Sequence, residues 1–375
     1  MILPAITILL FTVYSLLIIY YWYYWIRIPV YTAGITDPEL TVSIIIPARN
    51  EGKNIRQLLE SLQQQSYTGP RTEIIVVDDH STDDTAEIVR QFPGVVLLHL
   101  ENDILNSYKK KAIETGIAKA TGELIITTDA DCVAGADWLR TLVAFKKEYN
   151  PVFIAAPVCF IDDHSIRSPW LLRFQQLDFL VLQGITGVSV YKKNMSMCNG
   201  ANLAYEKKVF GEVNGFAGID EIASGDDMLL MHKIRKQYPS AVRYIKSRQA
   251  IMFTRAAGSW SAFFNQRIRW ASKAKKYDDK RIFWILVLVY LFNLAFPLLL
   301  IAGCRNADYW WWALGFWIAK TLVEYPFVNA VASFFNARSL LKWFFFFQPF
   351  HILYTIIAGG LGQVGKYEWK GRKVK

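Results

Sequence analysis

"GELIITTDADC", residues 122–132, runs an apolar strand, Leu124-Ile125-Ile126, straight into two carboxylates, Asp129 and Asp131. Side chains two apart on an extended chain share a face, so these charges repel unless a cation or a set of donors lies between them. The stretch therefore predicts a strand ending either in solvent or at a metal. The same pattern extends outward. "LTVSIIIPARNE" (40–51), a helical "IRQLLESLQQQ" (55–65), "TEIIVVDDHSTDDTAEIVRQF" (72–92), "VVLLHL" (95–100) and "KKKAIETGIAKA" (109–120) lead up to it. Short apolar strands alternating with helices predict βαβ units on a mostly parallel sheet. In such sheets ligands bind at the carboxyl ends of the strands. Arg49-Asn50-Glu51, Asp78-Asp79 and Asp129/Asp131 all fall at such ends.

The chain has 375 residues and is 53% hydrophobic, too apolar for a purely soluble enzyme of this size. The excess lies at its two ends. Met1 to Ile26 carries no charge, and at ~1.5 Å per residue it can cross a ~30 Å hydrocarbon core. It lacks a basic start and ends in the aromatic stretch Tyr20 to Trp25, which favours an uncleaved anchor over a signal peptide. Further uncharged or nearly uncharged runs span 282–304, 309–328 and 343–365, the last interrupted by Gln348, Pro349 and His351. Lys320 and Glu324, four residues apart, are expected to neutralise each other on one helix face.

The formal charge of +10 does not point to nucleic acid, because the basic residues cluster beside the membrane runs. Arg267, Arg269, Lys273, Lys275, Lys276, Lys280 and Arg281 precede the second run, and Lys366, Lys370, Arg372, Lys373 and Lys375 follow the fourth. The positive-inside rule and attraction to anionic lipid account for both clusters. No nucleic-acid module is present. The four cysteines are scattered without metal-ligand spacing, which fits a reducing, cytoplasmic compartment. Two lookalike motifs are set aside. "FIDDHS" (160–165) repeats the paired aspartates, but Pro169 interrupts the stretch directly after it. "GLGQVG" (360–365) has dinucleotide-fingerprint glycines without the later strand and acidic residue that motif needs.

Over residues 40–272 the chain resembles the family 2 membrane glycosyltransferases, on motifs in the family's order: "IIPARNE", "VVDDHSTDDT", "TTDADC", "SGDDMLL" and "QRIRW". The resemblance implies an α/β chain with the GT-A (nucleotide-diphospho-sugar transferase) fold, a mostly parallel sheet, and transmembrane helices at both termini. The organisation expected is an anchor at 1–26, a catalytic domain at 40–254 and an amphipathic interfacial helix region at 255–281. Membrane segments at 282–304, 309–328 and 343–365 follow, then a basic tail at 366–375. For the nucleotide sugar the resemblance implies Pro47, Ala48, Arg49, Glu51, Asp78, Asp79, Lys109, Asp129, Asn199 and Gly200. Asp131 would hold Mg²⁺ or Mn²⁺ against the diphosphate. Asp227 would be the base of an inverting transfer, with Asp226, Gln266, Arg269 and Trp270 on the acceptor and diphosphate side.

Several points stay open at this level. Ser81 and Thr82 with Asp83-Asp84 read as a helix N-cap and first turn, so one of Asp78 and Asp79 could serve as a cap while at least one is left to accept from a ligand. His80 stands where the family often has a small residue, and any of Lys109, Lys110 and Lys111 could face the diphosphate. Trp260, Phe264 and Ile268 form an apolar stripe on an amphipathic helix, expected at headgroup level. The acceptor expected is lipid-linked or a surface glycan. The alternative is a processive polysaccharide synthase of the hyaluronan, cellulose or poly-N-acetylglucosamine type, which would call for a homo-oligomer to supply enough helices for a channel. Charge bias puts the catalytic domain of this multi-pass cell-membrane protein in the cytoplasm and Met1 outside, with 343–365 re-entrant or interfacial.

Overall fold

A computed structural model describes residues 2–34, 40–67, 72–101, 107–162, 166, 168–194, 197–221, 225–272, 279–364, 367–369 and 372–374. Lys273, Lys275, Lys276, Lys366, Lys370 and Lys375 of the basic clusters lie outside the described residues. The elements are, in order, α1 (Ile2–Trp25), β1 (Val42–Ala48), α2 (Ile55–Gln63), β2 (Thr72–Asp78), α3 (Thr85–Arg90), β3 (Val95–His99), α4 (Tyr108–Lys119) and β4 (Leu124–Thr127). There follow β5 (Val133–Ala134), α5 (Trp138–Tyr149), β6 (Phe153–Ala155), β7 (Val158–Phe160), α6 (Pro169–Tyr191), β8 (Leu203–Glu206), α7 (Lys207–Glu212), α8 (Met228–Gln237), β9 (Val242–Tyr244) and β10 (Met252–Thr254). The chain closes with α9 (Trp260–Ala271), α10 (Lys280–Gly303), α11 (Asp308–Phe334) and α12 (Phe344–Val364).

These elements divide into two compact units. The α/β unit comprises 29–161, 189–255 and 368–375. Its main sheet has seven strands in the order β3-β2-β1-β4-β8-β6-β9. β1 pairs in parallel with β2 and β4, and β2 with β3, whereas β8 runs antiparallel to β4 and β6. The mostly parallel α/β architecture expected from the sequence is thus present. Ile44, Ile45 and Ile46 are fully buried, as a central strand covered on both faces requires. In α2 the buried residues Ile55, Leu58, Leu59 and Leu62 follow the helical repeat, and the helix packs with β5 and α3.

The parallel pairing brings the strand ends level. Ala48 pairs with Asp78, and Asp78 with His99, so the chemically active ends of β1, β2 and β3 form one edge. β4 joins that edge beside β1, entered through Gly122. A Cβ on Gly122 would lie 2.6 Å from the Ser43 backbone nitrogen and 2.7 Å from the Val42 carbonyl carbon, so only glycine fits this approach. Gly122 also donates its N–H to Ser43 Oγ at 2.8 Å, and Ser43 donates to Glu73 at 2.5 Å.

The helical unit comprises 1–28, 162–188 and 256–367. Residues 162–188, inside the stretch expected to be a single catalytic domain, therefore pack with the helices instead. Leu171, Phe174 and Leu177 of α6 form a buried cluster with Phe263 of α9, Val328 of α11 and Phe344 and Phe347 of α12. Helices Ile2–Trp25, Lys280–Gly303 and Arg338–Gln363 are long and apolar enough to cross a membrane. α1, α10 and α11 pack together through ring contacts such as Tyr14–Phe292 and Trp25–Phe334.

Lys320 and Glu324 pair at 2.7 Å, as expected, and both are buried. Their network is larger than a pair. Gln348 accepts from Lys320 at 2.5 Å and donates to Glu324 at 2.5 Å, and the Tyr14 hydroxyl also donates to Glu324. The polar interruption at Gln348-Pro349 is accommodated inside α12, which runs through Pro349 as continuous helix, and Gln348 is buried against the ion pair on α11.

Gly122→Ala will lower the stability of the α/β unit by about 1–3 kcal/mol, because the obstructing atoms are main chain and cannot rotate away. Thermal unfolding of the purified chain checks this: an unchanged midpoint would contradict the close approach.

Candidate functional site

The site is built on the edge formed by the carboxyl ends of β1 to β4. After β1, the Ala48 carbonyl accepts from the Asp79 N–H at 2.8 Å, locking the β1 and β2 loops together. Pro47 sits half-buried just before it. Arg49 Nη1 donates to the carbonyls of Asp79 at 2.6 Å and His80 at 3.2 Å, and lies 3.7 Å from the Asp79 carboxylate. Glu51 is a framework residue: its carboxylate accepts from Asn54 Nδ2 at 2.7 Å, and its N–H donates to Thr85 Oγ1 at 2.8 Å.

Asn50 and His80, at the tips of these two loops, both have left-handed backbones, with φ of 51° and 54°. Such a conformation costs a non-glycine residue about 1–2 kcal/mol, which is why a small residue suits the position of His80. The loops repay it with Asn50 Oδ1 accepting from the Thr82 N–H at 2.8 Å and Ser81 Oγ accepting from the Asn50 N–H at 2.9 Å. Ser81 and Thr82 are therefore not the expected N-cap. α3 starts later, where Asp83 accepts from the Thr85 N–H at 3.1 Å.

Asp78 and Asp79 are both buried and divide their partners. Asp79 faces His80 at 3.0 Å, while Asp78 accepts from the Ser81 N–H at 3.3 Å and lies 3.3 Å from His99 Nδ1. His99 is a neighbour of Asp78 that the motif reading did not include. Its place at the end of β3 was the available signal, since β2 ends in Asp78 and charged residues follow β1 and β4.

Around β4 the two carboxylates do not share the face of an extended chain, as the sequence spacing suggested. The strand ends at Thr127, and residues 129–132 form a turn closed by the Cys132 N–H donating to the Asp129 carbonyl at 3.2 Å. Asp129 pairs with Lys109 Nζ at 2.7 Å, and the Cys132 thiol lies 3.8 Å from Asp131. Burial, reinforced by Asp131 and Asp129, pushes the Cys132 thiol well above its ordinary range.

The structure decides among the three lysines. Lys109 Nζ also reaches Asp226 at 3.0 Å, whereas Lys110 donates to the Ile219 carbonyl at 2.5 Å and Lys111 pairs with Glu114 at 3.6 Å. Burial pulls the Lys109 ammonium down, but Asp129 and Asp226 outweigh it and hold it above its ordinary range. Asp227 caps α8, accepting from the Met228 N–H at 2.7 Å, and its other oxygen accepts from the Gly200 N–H at 3.2 Å. Asn199 Oδ1 accepts from the Ala201 N–H at 3.0 Å and so shapes the same loop. His80 contacts Tyr108 edge-on at 6.4 Å, linking the Asp79 side of the edge to the Lys109 side. A second missed residue is Asn202, fully buried, which donates to the carbonyls of Pro157 and Ala250 and accepts from Trp138.

Gln266, Arg269 and Trp270 belong to the helical unit, on α9. The face of α9 that packs inward carries Phe263 and Arg267, while Trp260 is exposed and Phe264 and Ile268 are half-buried. Arg267 pairs with Asp178 at 2.6 Å, and its guanidinium lies 4.3 Å from the Trp270 ring, so it holds Trp270 in place. Tyr354 donates to the other Asp178 oxygen at 2.5 Å.

A divalent ion fits this donor set in part. Carboxylate oxygens are hard ligands suited to Mg²⁺ or Mn²⁺, and a Cβ added at Gly200 would fall 3.1 Å from Asp226 Oδ2 and 3.2 Å from Lys109 Nζ, so the glycine lets its loop approach the acidic groups and the ammonium closely. Among the described residues, however, no group of three metal-ligating side chains is assembled. An ion here would need further oxygens from a bound phosphate.

Residues 43–213 match the family model described as glycosyl transferase family 2. This segment is thus similar to glycosyl transferase family 2 domains. Glycosyltransferase AglE of Haloferax volcanii is 36% identical over 102 residues, covering 26% of this chain and 33% of that one. The undecaprenyl-phosphate 4-deoxy-4-formamido-L-arabinose transferase of Proteus mirabilis is 34% identical over 110 residues, covering 28% of this chain and 34% of its own. The chain thus spans about a third of the length of these two curated relatives. Among solved structures, the mannosyltransferase PcManGT from Pyrobaculum calidifontis, in complex with GDP-Man and Mn²⁺, superposes with a TM-score of 0.60 at 19% identity. The match covers 96% of this chain and 99% of that one, and it supports the GT-A-like fold expected from the sequence.

Cys132 will resist alkylation by iodoacetamide at pH 8 in the native protein while the exposed Cys304 reacts, since the thiolate is the nucleophile and Cys132 is both buried and held protonated. Mass spectrometry of the labelled chain reads the ratio. Equal labelling would show that the Asp129–Cys132 turn opens.

Proposed function

We propose that this chain is a membrane-bound, inverting, metal-dependent glycosyltransferase that moves a sugar from a nucleoside-diphosphate sugar to a lipid-linked acceptor. The observation that carries the reading is the gathering of Asp129, Asp226 and Asp227 around Lys109, at the strand ends of a domain similar to those of family 2. Four charged groups from two loops and a helix start are an arrangement suited to a diphosphate and its counter-ion rather than to fold stability. The lipid-linked acceptor is supported by the apolar helices and by a relative named for undecaprenyl phosphate.

In this reading Arg49, Asp78, Asp79 and His99, with Pro47 and Ala48, line the nucleoside end of the donor site. Lys109 faces the diphosphate. Asp131, with Asp129, would hold Mg²⁺ or Mn²⁺, which when bound offsets the charge that grows on the departing diphosphate. Asp227 accepts the proton of the acceptor oxygen as it attacks the anomeric carbon from the side opposite the leaving group. Its cap on α8 and its bond from Gly200 orient the carboxylate for that task. Asp226 positions Lys109. Gln266, Arg269 and Trp270 serve the acceptor and diphosphate side. The basic residues that flank the helices support a cytoplasmic catalytic domain.

Membranes holding the chain, incubated with a panel of labelled nucleotide sugars, will yield a product extractable into organic solvent and one sugar heavier than its acceptor. Asp227→Asn will slow transfer by ~10²- to 10⁴-fold, with nucleoside-diphosphate affinity nearly unchanged, because Asn keeps an oxygen for the α8 cap. A high-molecular-weight, water-soluble polymer from the purified chain would instead establish the processive synthase, and normal turnover by Asp227→Asn would remove the base assignment.

Sidedness has its own test. A cysteine replacing the exposed Lys208 will be protected from an impermeant maleimide in intact cells and labelled once the membrane is opened. Labelling in intact cells would put the domain outside.

A further inference from the structure

Two loops and a helix start converge on the Lys109 ammonium, which is 2.7 Å from Asp129 and 3.0 Å from Asp226 with its side chain only 21% exposed. A Cβ on Gly200 would come within 3.2 Å of the same nitrogen, so the cradle between the acidic loops is occupied by this one cation. Its neighbours cannot substitute for it, because Lys110 is committed to the Ile219 carbonyl and Lys111 to Glu114. One of the carboxylates assigned to the metal is thus already neutralised by a residue of the protein.

A free divalent ion meets two obstacles at such a site. It must displace an ammonium held by two carboxylates, and it then finds too few protein oxygens, since no three metal-ligating side chains are grouped among the described residues. Small hard cations bound by few carboxylates rely on substrate phosphates to complete their shell. A diphosphate removes both obstacles together. It supplies oxygens to the metal and a new anionic partner to Lys109, so the ammonium can leave Asp129 without being left unpaired.

Resting on the donor-site reading above, we propose that Lys109 is the built-in counter-ion of Asp129 and Asp226. It yields Asp129 to the divalent metal only when a nucleoside diphosphate takes the ammonium over, so that metal and nucleotide load together. Metal and nucleotide then raise each other's affinity by the same factor, as linkage demands. Removing the ammonium breaks this coupling in a particular direction: the metal alone binds better, and the nucleotide binds worse.

The test uses the full chain purified in detergent, titrated with Mn²⁺ alone and with Mn²⁺ in the presence of UDP or GDP. Free Mn²⁺ is read by electron paramagnetic resonance, and thermal unfolding confirms that each variant is folded. The native protein will bind Mn²⁺ weakly alone and at least ~5-fold more tightly with a nucleoside diphosphate, the lower end of common coupling factors. Lys109→Met will bind Mn²⁺ alone ~5-fold or more tightly than the native protein and will lose affinity for the nucleotide. Lys109→Arg, which keeps the charge, will leave Mn²⁺ binding weak without nucleotide. A purely structural lysine would give Lys109→Met weaker binding of both ligands, and that result overturns the proposal. So does tight binding of Mn²⁺ by the native protein without nucleotide, an arm that decides the matter even if Lys109→Met does not fold. If neither UDP nor GDP binds the native protein with Mn²⁺, the donor-site reading fails and this inference falls with it. If the nucleotide binds as expected and Lys109→Met gains no affinity for Mn²⁺ alone, only the counter-ion role is lost.

Discussion

The Lys109 ammonium is the point on which the site depends, because it is the cation that lets carboxylates from separate loops stand close together. Asp129 follows β4, Asp226 precedes α8, and Lys109 lies in the first turn of α4. Without a positive charge among them, the acidic loops would repel one another or take up protons. The glycine at position 200 completes the arrangement, since a side chain there would crowd the ammonium and Asp226. Charge pairing thus does for the loops what strand pairing does for the sheet beneath them.

That sheet supplies the second constraint. Because β1, β2 and β3 pair in parallel with Ala48, Asp78 and His99 level, their polar ends open on one edge. The connecting loops are held tight by main-chain bonds and by two left-handed residues, Asn50 and His80. Backbone strain of this kind persists only where surrounding bonds enforce it, and it concentrates at functional sites. In the helical unit the same logic is applied to buried charge. Lys320, Glu324, Gln348 and Tyr14 satisfy one another among α1, α11 and α12, and Asp178, Arg267 and Tyr354 do so among α6, α9 and α12. Losing one partner from such a group would leave an uncompensated charge, which is why the groups come as closed sets.

Much of this was legible in the amino-acid order. Continuous apolar runs ending in charged pairs marked the parallel strands and the edge on which the site stands, because a strand buried on both faces has no other pattern available to it. The ordered motifs placed Asp78, Asp129, Asp131 and Asp227 at the ends of elements, and hydropathy located the runs that form α1, α10 and α12, whereas the run at 309–328 lies in α11, which is not among the described helices long and apolar enough to cross a membrane. The Lys320–Glu324 pair followed from helical spacing.

What tertiary structure alone decided are the relations between residues distant in sequence. Helical geometry turns successive side chains by about 100°, so three adjacent lysines point three ways, and only the packing of α4 determines that Lys109 meets the acidic loops. Asp129 and Asp131 stand on the turn at 129–132, where the strand period had put them on one face of an extended chain. α9 packs inward on Phe263 and Arg267 rather than on its most apolar stripe, since Arg267 finds Asp178 on a helix that the sequence had assigned to another domain. Local pattern sets which elements form and where they end; which charges become partners depends on distances that no linear spacing encodes.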